Sequence, residues 1–95
     1  MKNLLISQAT LDKLADKHQV SRREVEQCFA NKCGLFLEDS REDHRSDPAT
    51  MWFIAPTNED RQLKVVFIFK DGLVHLRTAY EPNPVELAIY DRHGR

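Results

Sequence analysis

The sequence predicts an α+β domain, with two N-terminal helices packed on a four-stranded antiparallel sheet and a short C-terminal helix. Three observations lead there. Apolar residues recur at helical spacing behind serine caps in the first third, the pattern turns extended after Gly34, and Asp71-Gly72 divides two long apolar runs as a hairpin turn. Ninety-five residues leave room for one domain, 1–95, with a modest core. The hydrophobic fraction of 41% and formal net charge of −1 exclude a disordered chain and a general positive field for nucleic acid, so any RNA contact must come from a local patch.

Ser7 or Thr10 caps a first helix running to about His18, with Leu11, Leu14 and Ala15 on its core face and His18 favourably placed at its C-terminal dipole. Ser21-Arg22-Arg23-Glu24 reads as a capping box, flanked by Val20 and Val25 where a hydrophobic staple closes. The second helix buries Val25, Cys28 and Phe29 and stops between Asn31 and Gly34, with Gly34 as the left-handed terminator. Leu35 to Leu37 then forms a first strand and Met51 to Ala55 a second, joined by a polar loop over residues 38–48. Leu35, Phe36, Trp52 and Phe53 are expected in the core. After a turn over Pro56 to Asp60, Leu63 to Phe69 is apolar enough for a central strand, and Leu73 to Tyr80 returns beside it. Pro82 and Pro84 stop that strand, and Val85 to Tyr90 closes the domain as a helix.

No stretch is long and apolar enough for a signal peptide or a membrane span, so a cytoplasmic protein with no membrane contact is expected. Cys28 and Cys33 then read as reduced thiols, and their spacing suits no ordinary zinc pair, so neither metal nor cofactor is expected.

A two-residue turn at Asp71-Gly72 opposes Lys70 to Leu73, Phe69 to Val74, Phe67 to Leu76 and Leu63 to Tyr80, which puts one apolar face under the helices. The alternate face pairs Ile68 with His75, Val66 with Arg77 and Lys64 with Ala79, leaving Lys64, His75 and Arg77 as exposed neighbours. An imidazole beside two cations is the equipment of metal-free RNA cleavage. His75 would move a proton while Lys64 and Arg77 steady the charge growing on phosphorus. Arg41 and His44 in the polar loop, and Tyr80 at the sheet end, are the candidate substrate-binding residues. The competing reading makes His75 and Arg77 the wet side of a half-buried strand, Lys64 a snorkelling side chain, and the loop plain solvated chain. A register slip of one residue would scatter the trio.

The chain resembles the BrnT toxins of the RelE-like group of small bacterial ribonuclease folds. The likeness runs through Lys17-His18-Gln19-Val20-Ser21, similar to the family's Lys-His-Gly-Val-Ser, then Arg61 to Phe67, Val74 to Tyr80 and Glu86 to Tyr90. It implies a ribonuclease acting on RNA and neutralised by a small DNA-binding antitoxin. Tyr80 stands where the family carries a catalytic arginine, and the C-terminal helix is barely basic. Those departures fit the second class of function, a non-catalytic protein-binding module on the toxin fold. A looser resemblance, through Glu38-Asp39 to Asp43-His44-Arg45, Trp52 to Ala55 and Thr78 to Asn83, is to short proteins named ADP-ribosyl-(dinitrogen reductase) hydrolase.

Overall fold

The computed structural model describes residues 1–39 and 48–95. The chain opens with β1 (Leu4–Leu5) and α1 (Gln8–Lys13), which passes into a π-helical turn, Leu14–His18, before α2 (Arg22–Asn31). Then come β2 (Leu37–Glu38), β3 (Thr50–Pro56), β4 (Gln62–Lys70), β5 (Leu73–Tyr80) and α3 (Pro84–His93).

The α+β class holds, but the sheet is five-stranded and mixed, in the order β1-β5-β4-β3-β2. The unforeseen strand is β1, which runs parallel to β5 with Leu4 opposite Val74 and Leu5 opposite His75. Two residues are too few to show an alternating pattern. This strand exists through partners some seventy positions away, including the Val74 amide, which donates to the Asn3 carbonyl at 2.8 Å.

Local chemistry explains the helix starts. The Ser7 side chain accepts from the Thr10 amide, and at Ser21 both halves of the capping box form, with Val20 and Val25 buried beside it. Gly34, however, is no left-handed terminator: α2 ends into an extended Lys32, and among the described residues the one glycine with positive φ is Gly72. Gly34 is small for another reason, since a Cβ there would sit 2.5 Å from the Gly94 carbonyl oxygen and 2.6 Å from the Tyr90 hydroxyl. Leu35 and Phe36 also depart from expectation. Both are exposed ahead of β2, although the Phe36 ring still meets Phe67 with centroids 5.0 Å apart.

The hairpin forms as a two-residue turn with Asp71 at φ 57° and Gly72 at φ 76°, and the pairs Lys70 with Leu73, Phe69 with Val74, Ile68 with His75 and Phe67 with Leu76 follow. A bulge between Val66 and Phe67 then shifts the register, so Val66 faces Thr78, Val65 faces Ala79 and Lys64 faces Tyr80. Arg77 is the extra residue. Past the bulge the expected pairings Val66 with Arg77, Lys64 with Ala79 and Leu63 with Tyr80 are replaced, and Tyr80 changes face.

On one face Leu63, Val65 and Phe67 pack with Phe53, Ala55, Leu76 and Ala79 beneath α2. The other face was expected to be open, but α3 covers one end of it through Tyr90. That buried ring lies 5.6 Å from Trp52, and its hydroxyl donates to the Leu35 carbonyl at 2.7 Å. The phenol thus satisfies a backbone carbonyl just ahead of β2. The rest of this face, with Val66, Ile68, His75 and Thr78, is only half-buried.

Candidate active site

Lys64 is the one charged residue in the apolar middle of β4, and by strand alternation it points to the face under α3. A buried ammonium needs a partner. Its Nζ donates to Glu86 Oε2 at 2.8 Å, and the two residues are only 3% and 9% exposed. The same Oε2 accepts from the Tyr80 hydroxyl at 2.7 Å, while Oε1 accepts from the Asn83 amide at 3.0 Å in a capping box that starts α3. Burial pushes the Glu86 carboxyl up, but the hydrogen bonds from Lys64, the Asn83 amide and Tyr80, with the Lys64 charge, outweigh it and hold the group ionised below the ordinary range. The ammonium also lies 4.7 Å from the Trp52 ring centroid and 5.8 Å from that of Tyr80.

Tyr80 is shared with a second group. Its ring lies 5.6 Å from the imidazole of His18, at the end of the π-helical turn. Arg61 anchors that turn: Nη2 donates to the His18 carbonyl at 2.8 Å, Nη1 to the Gln19 carbonyl at 2.7 Å, and the guanidinium is also paired with Glu24 and Glu81. His18, Tyr80, Lys64 and Glu86 therefore converge from the π-turn, β5, β4 and α3. Lys17 is exposed beside His18.

The expected trio is not assembled. His75 pairs with Ile68, four residues along β4 from Lys64, which is about 13 Å of strand. Arg77 is exposed at the bulge, and Lys64 is neither exposed nor a snorkelling side chain but committed to Glu86. Tyr80 joins the Lys64 cluster instead of the apolar face. Arg41 and His44 lie outside the described residues. Sequence reasoning assigned His18 to a helix end and passed over Arg61 and Glu86. Two signals were present: a lysine in an otherwise apolar central strand demands a buried partner, and Asn83-Pro84-Val85-Glu86 has the asparagine and glutamate spacing of a capping box.

Beside the ion pair a cleft of about 310 Å³ opens between α3 and the sheet, walled by Trp52, Leu37 and Ile89, with Glu38, Asp39 and His93 at its polar edge. On the opposite sheet face an apolar groove of about 550 Å³ is lined by Phe29, Phe36, Phe67, Phe69 and Val74, among others. Among the described residues no group of three or more His, Cys, Asp or Glu side chains is placed to hold a metal ion, and no helix is long and apolar enough to cross a membrane. Cys28 is buried, which with the nearby Glu24 charge and against that of Arg61 pushes its thiol up to about 12, while Cys33 is exposed. No family model and no curated protein matches the chain.

Proposed function

We propose that the chain is a small ribonuclease that cleaves RNA through its 2′-hydroxyl, with its working groups at the junction of the π-turn, β5 and α3. The observation that carries this reading is the half-buried Tyr80, held between the His18 imidazole and a carboxylate that Lys64 keeps ionised. His18 takes the 2′-hydroxyl proton as that oxygen bonds to phosphorus, the P–O5′ bond breaks, and the departing 5′ oxygen takes a proton from solvent. The products are a 2′,3′-cyclic phosphate and a 5′-hydroxyl. Lys17 beside His18 and Arg77 on β5 offer positive charge to the phosphate oxygens, and the open half of the sheet face, with His75 and Thr78, receives the adjoining strand. The Lys64–Glu86 pair fixes the Tyr80 hydroxyl and acts through it as a positioning unit.

The test is incubation of the purified chain with a short RNA in chelator, products being identified by mass spectrometry. A cyclic phosphate product is expected, and His18→Ala lowers the rate on the order of 10²-fold with an unchanged melting curve. Intact RNA, or a variant as fast as wild type, overturns the reading.

The groove favours a second reading, the protein-binding module. Phe69 is 53% exposed at its edge, and a cation stands on the rim, where the Lys32 ammonium lies 4.5 Å from the Phe36 ring centroid. Its occupant on this reading is an acid-flanked amphipathic segment of another protein. Model peptides with one apolar face and either acidic or basic polar faces decide it, since equal affinity for the two removes the argument.

A further inference from the structure

The helix α3 is built inside out. Its sheet side carries Glu86 and Tyr90, both buried, because the carboxylate must reach Lys64 and the phenol must reach the Leu35 carbonyl. Its solvent side carries Val85, Ala88 and Ile89, which with Arg92 fall at i, i+3, i+4 and i+7 and form one exposed stripe. Val85 is 66% exposed. A second bare apolar residue, the 64% exposed Leu35, is tied to the far end of the helix by its amide, which donates to the Gly94 carbonyl. These are the two most exposed large apolar side chains among the described residues, and they mark opposite ends of one helix. Between them a hollow of about 390 Å³ opens beside Ala88, walled by Ile89, Arg92 and His93. A helix that is apolar on its outer as well as its inner side is ordinarily covered on both.

We infer that this stripe is a self-association surface, on which α3 packs antiparallel against α3 of a second copy about a two-fold axis between Ala88 and Ile89. A second copy is the occupant because the surface complements itself. About that axis Val85 lies level with the partner's Arg92, whose aliphatic stem covers it, and Leu35 meets the end of the helix where the partner's Val85 stands bare. Ile89 enters the hollow beside the partner's Ala88, whose small side chain lets the two backbones approach. Charge favours the same order. The C-terminal end carries Arg92, His93 and Arg95, while Glu81, with its side chain 67% exposed, leads into the N-terminal end. An antiparallel pair sets unlike charges and opposed helix dipoles together, whereas a parallel pair would stack the cations. A ten-residue helix is about 15 Å long and with Leu35 covers on the order of 400 Å² per partner, about half of a standard interface. The dimer is therefore a weak, exchanging one, with a dissociation constant on the order of 100 µM. It invokes no catalytic group and stands apart from the ribonuclease reading.

Sedimentation equilibrium of the full chain between about 10 µM and about 1 mM tests it, and the average mass is expected to climb from one chain toward two. Ala88→Glu and Leu35→Asp, both at exposed positions, are expected to weaken association at least ~10-fold with unchanged melting curves in dilute solution. Phe69→Ser, in the groove on the opposite sheet face, is expected to associate as wild type does. A single chain at the highest concentration, or association that Ala88→Glu leaves intact, overturns the inference. Loss of association in Phe69→Ser alone assigns the contact to the groove and overturns it as well. A mass that grows beyond two chains shows an open head-to-tail contact in place of the two-fold one, with the same consequence.

Discussion

Replacing Lys64 with methionine isolates the energetics of the buried pair. The substitution keeps most of the side-chain volume and the contact with Trp52 but leaves Glu86, 9% exposed, with a phenol and a backbone amide as partners and no cation. Stranding one member of a buried pair costs about 3 kcal/mol, which for a domain of this size lowers Tm by roughly 12–24 °C. Adding Glu86→Gln to Lys64→Met removes the stranded charge but keeps an acceptor for Asn83 or Tyr80, and about 1–2 kcal/mol returns. Glu86 sits below the ordinary carboxyl range when folded, so its contribution is complete above the unfolded value near ~4.3 and is lost as pH falls through the lower folded value. The gap between wild type and Lys64→Met therefore narrows on acidification. Urea unfolding followed by Trp52 fluorescence at pH 7 and pH 3 measures both effects. A Lys64→Met protein within about 0.5 kcal/mol of wild type at pH 7, or a gap equal at the two pH values, refutes the account of a desolvated pair.

Tyr90→Phe removes the hydroxyl that serves the Leu35 carbonyl, and calorimetry should show a loss of about 1–3 kcal/mol, against near-neutrality if water replaces it. Gly34→Ala drives a Cβ into the Gly94 carbonyl and Tyr90 and should separate the C-terminal end of α3 from the segment before β2, seen as faster amide exchange at Leu35, whose amide donates to Gly94. Gly72→Ala meets no neighbouring atom and pays only for its φ of 76°, so about 1 kcal/mol is expected in urea titration. With a disulfide-exchange reagent at pH 8, Cys33 should react at once and Cys28 only on unfolding, because a thiol pushed up to about 12 in a buried site holds almost no thiolate. Two fast thiols per native chain would contradict the burial of Cys28.

Features governed by neighbours in the chain were legible from the residues. The Ser7 and Ser21 caps, the Val20 and Val25 staple, the Asp71-Gly72 turn and the Leu73–Tyr80 strand all depend on groups within a few positions of one another, and each formed as expected. The site was only partly legible. Lys64 and Tyr80 were singled out, but for the wrong company, because an unpaired Arg77 slips the register between Phe67 and Val66 and no short-range pattern marks where a bulge will sit. His18, Glu86 and Arg61 were invisible as a group for the same kind of reason, since they lie far apart in sequence and share one phenol, one carboxylate and two carbonyls only once the sheet has formed. Hydrogen-bond chemistry over three or four residues thus determined the pieces. Burial of a charge in the middle of β4, and the need to neutralise it across the sheet, decided how α3 docks and which side chains meet there.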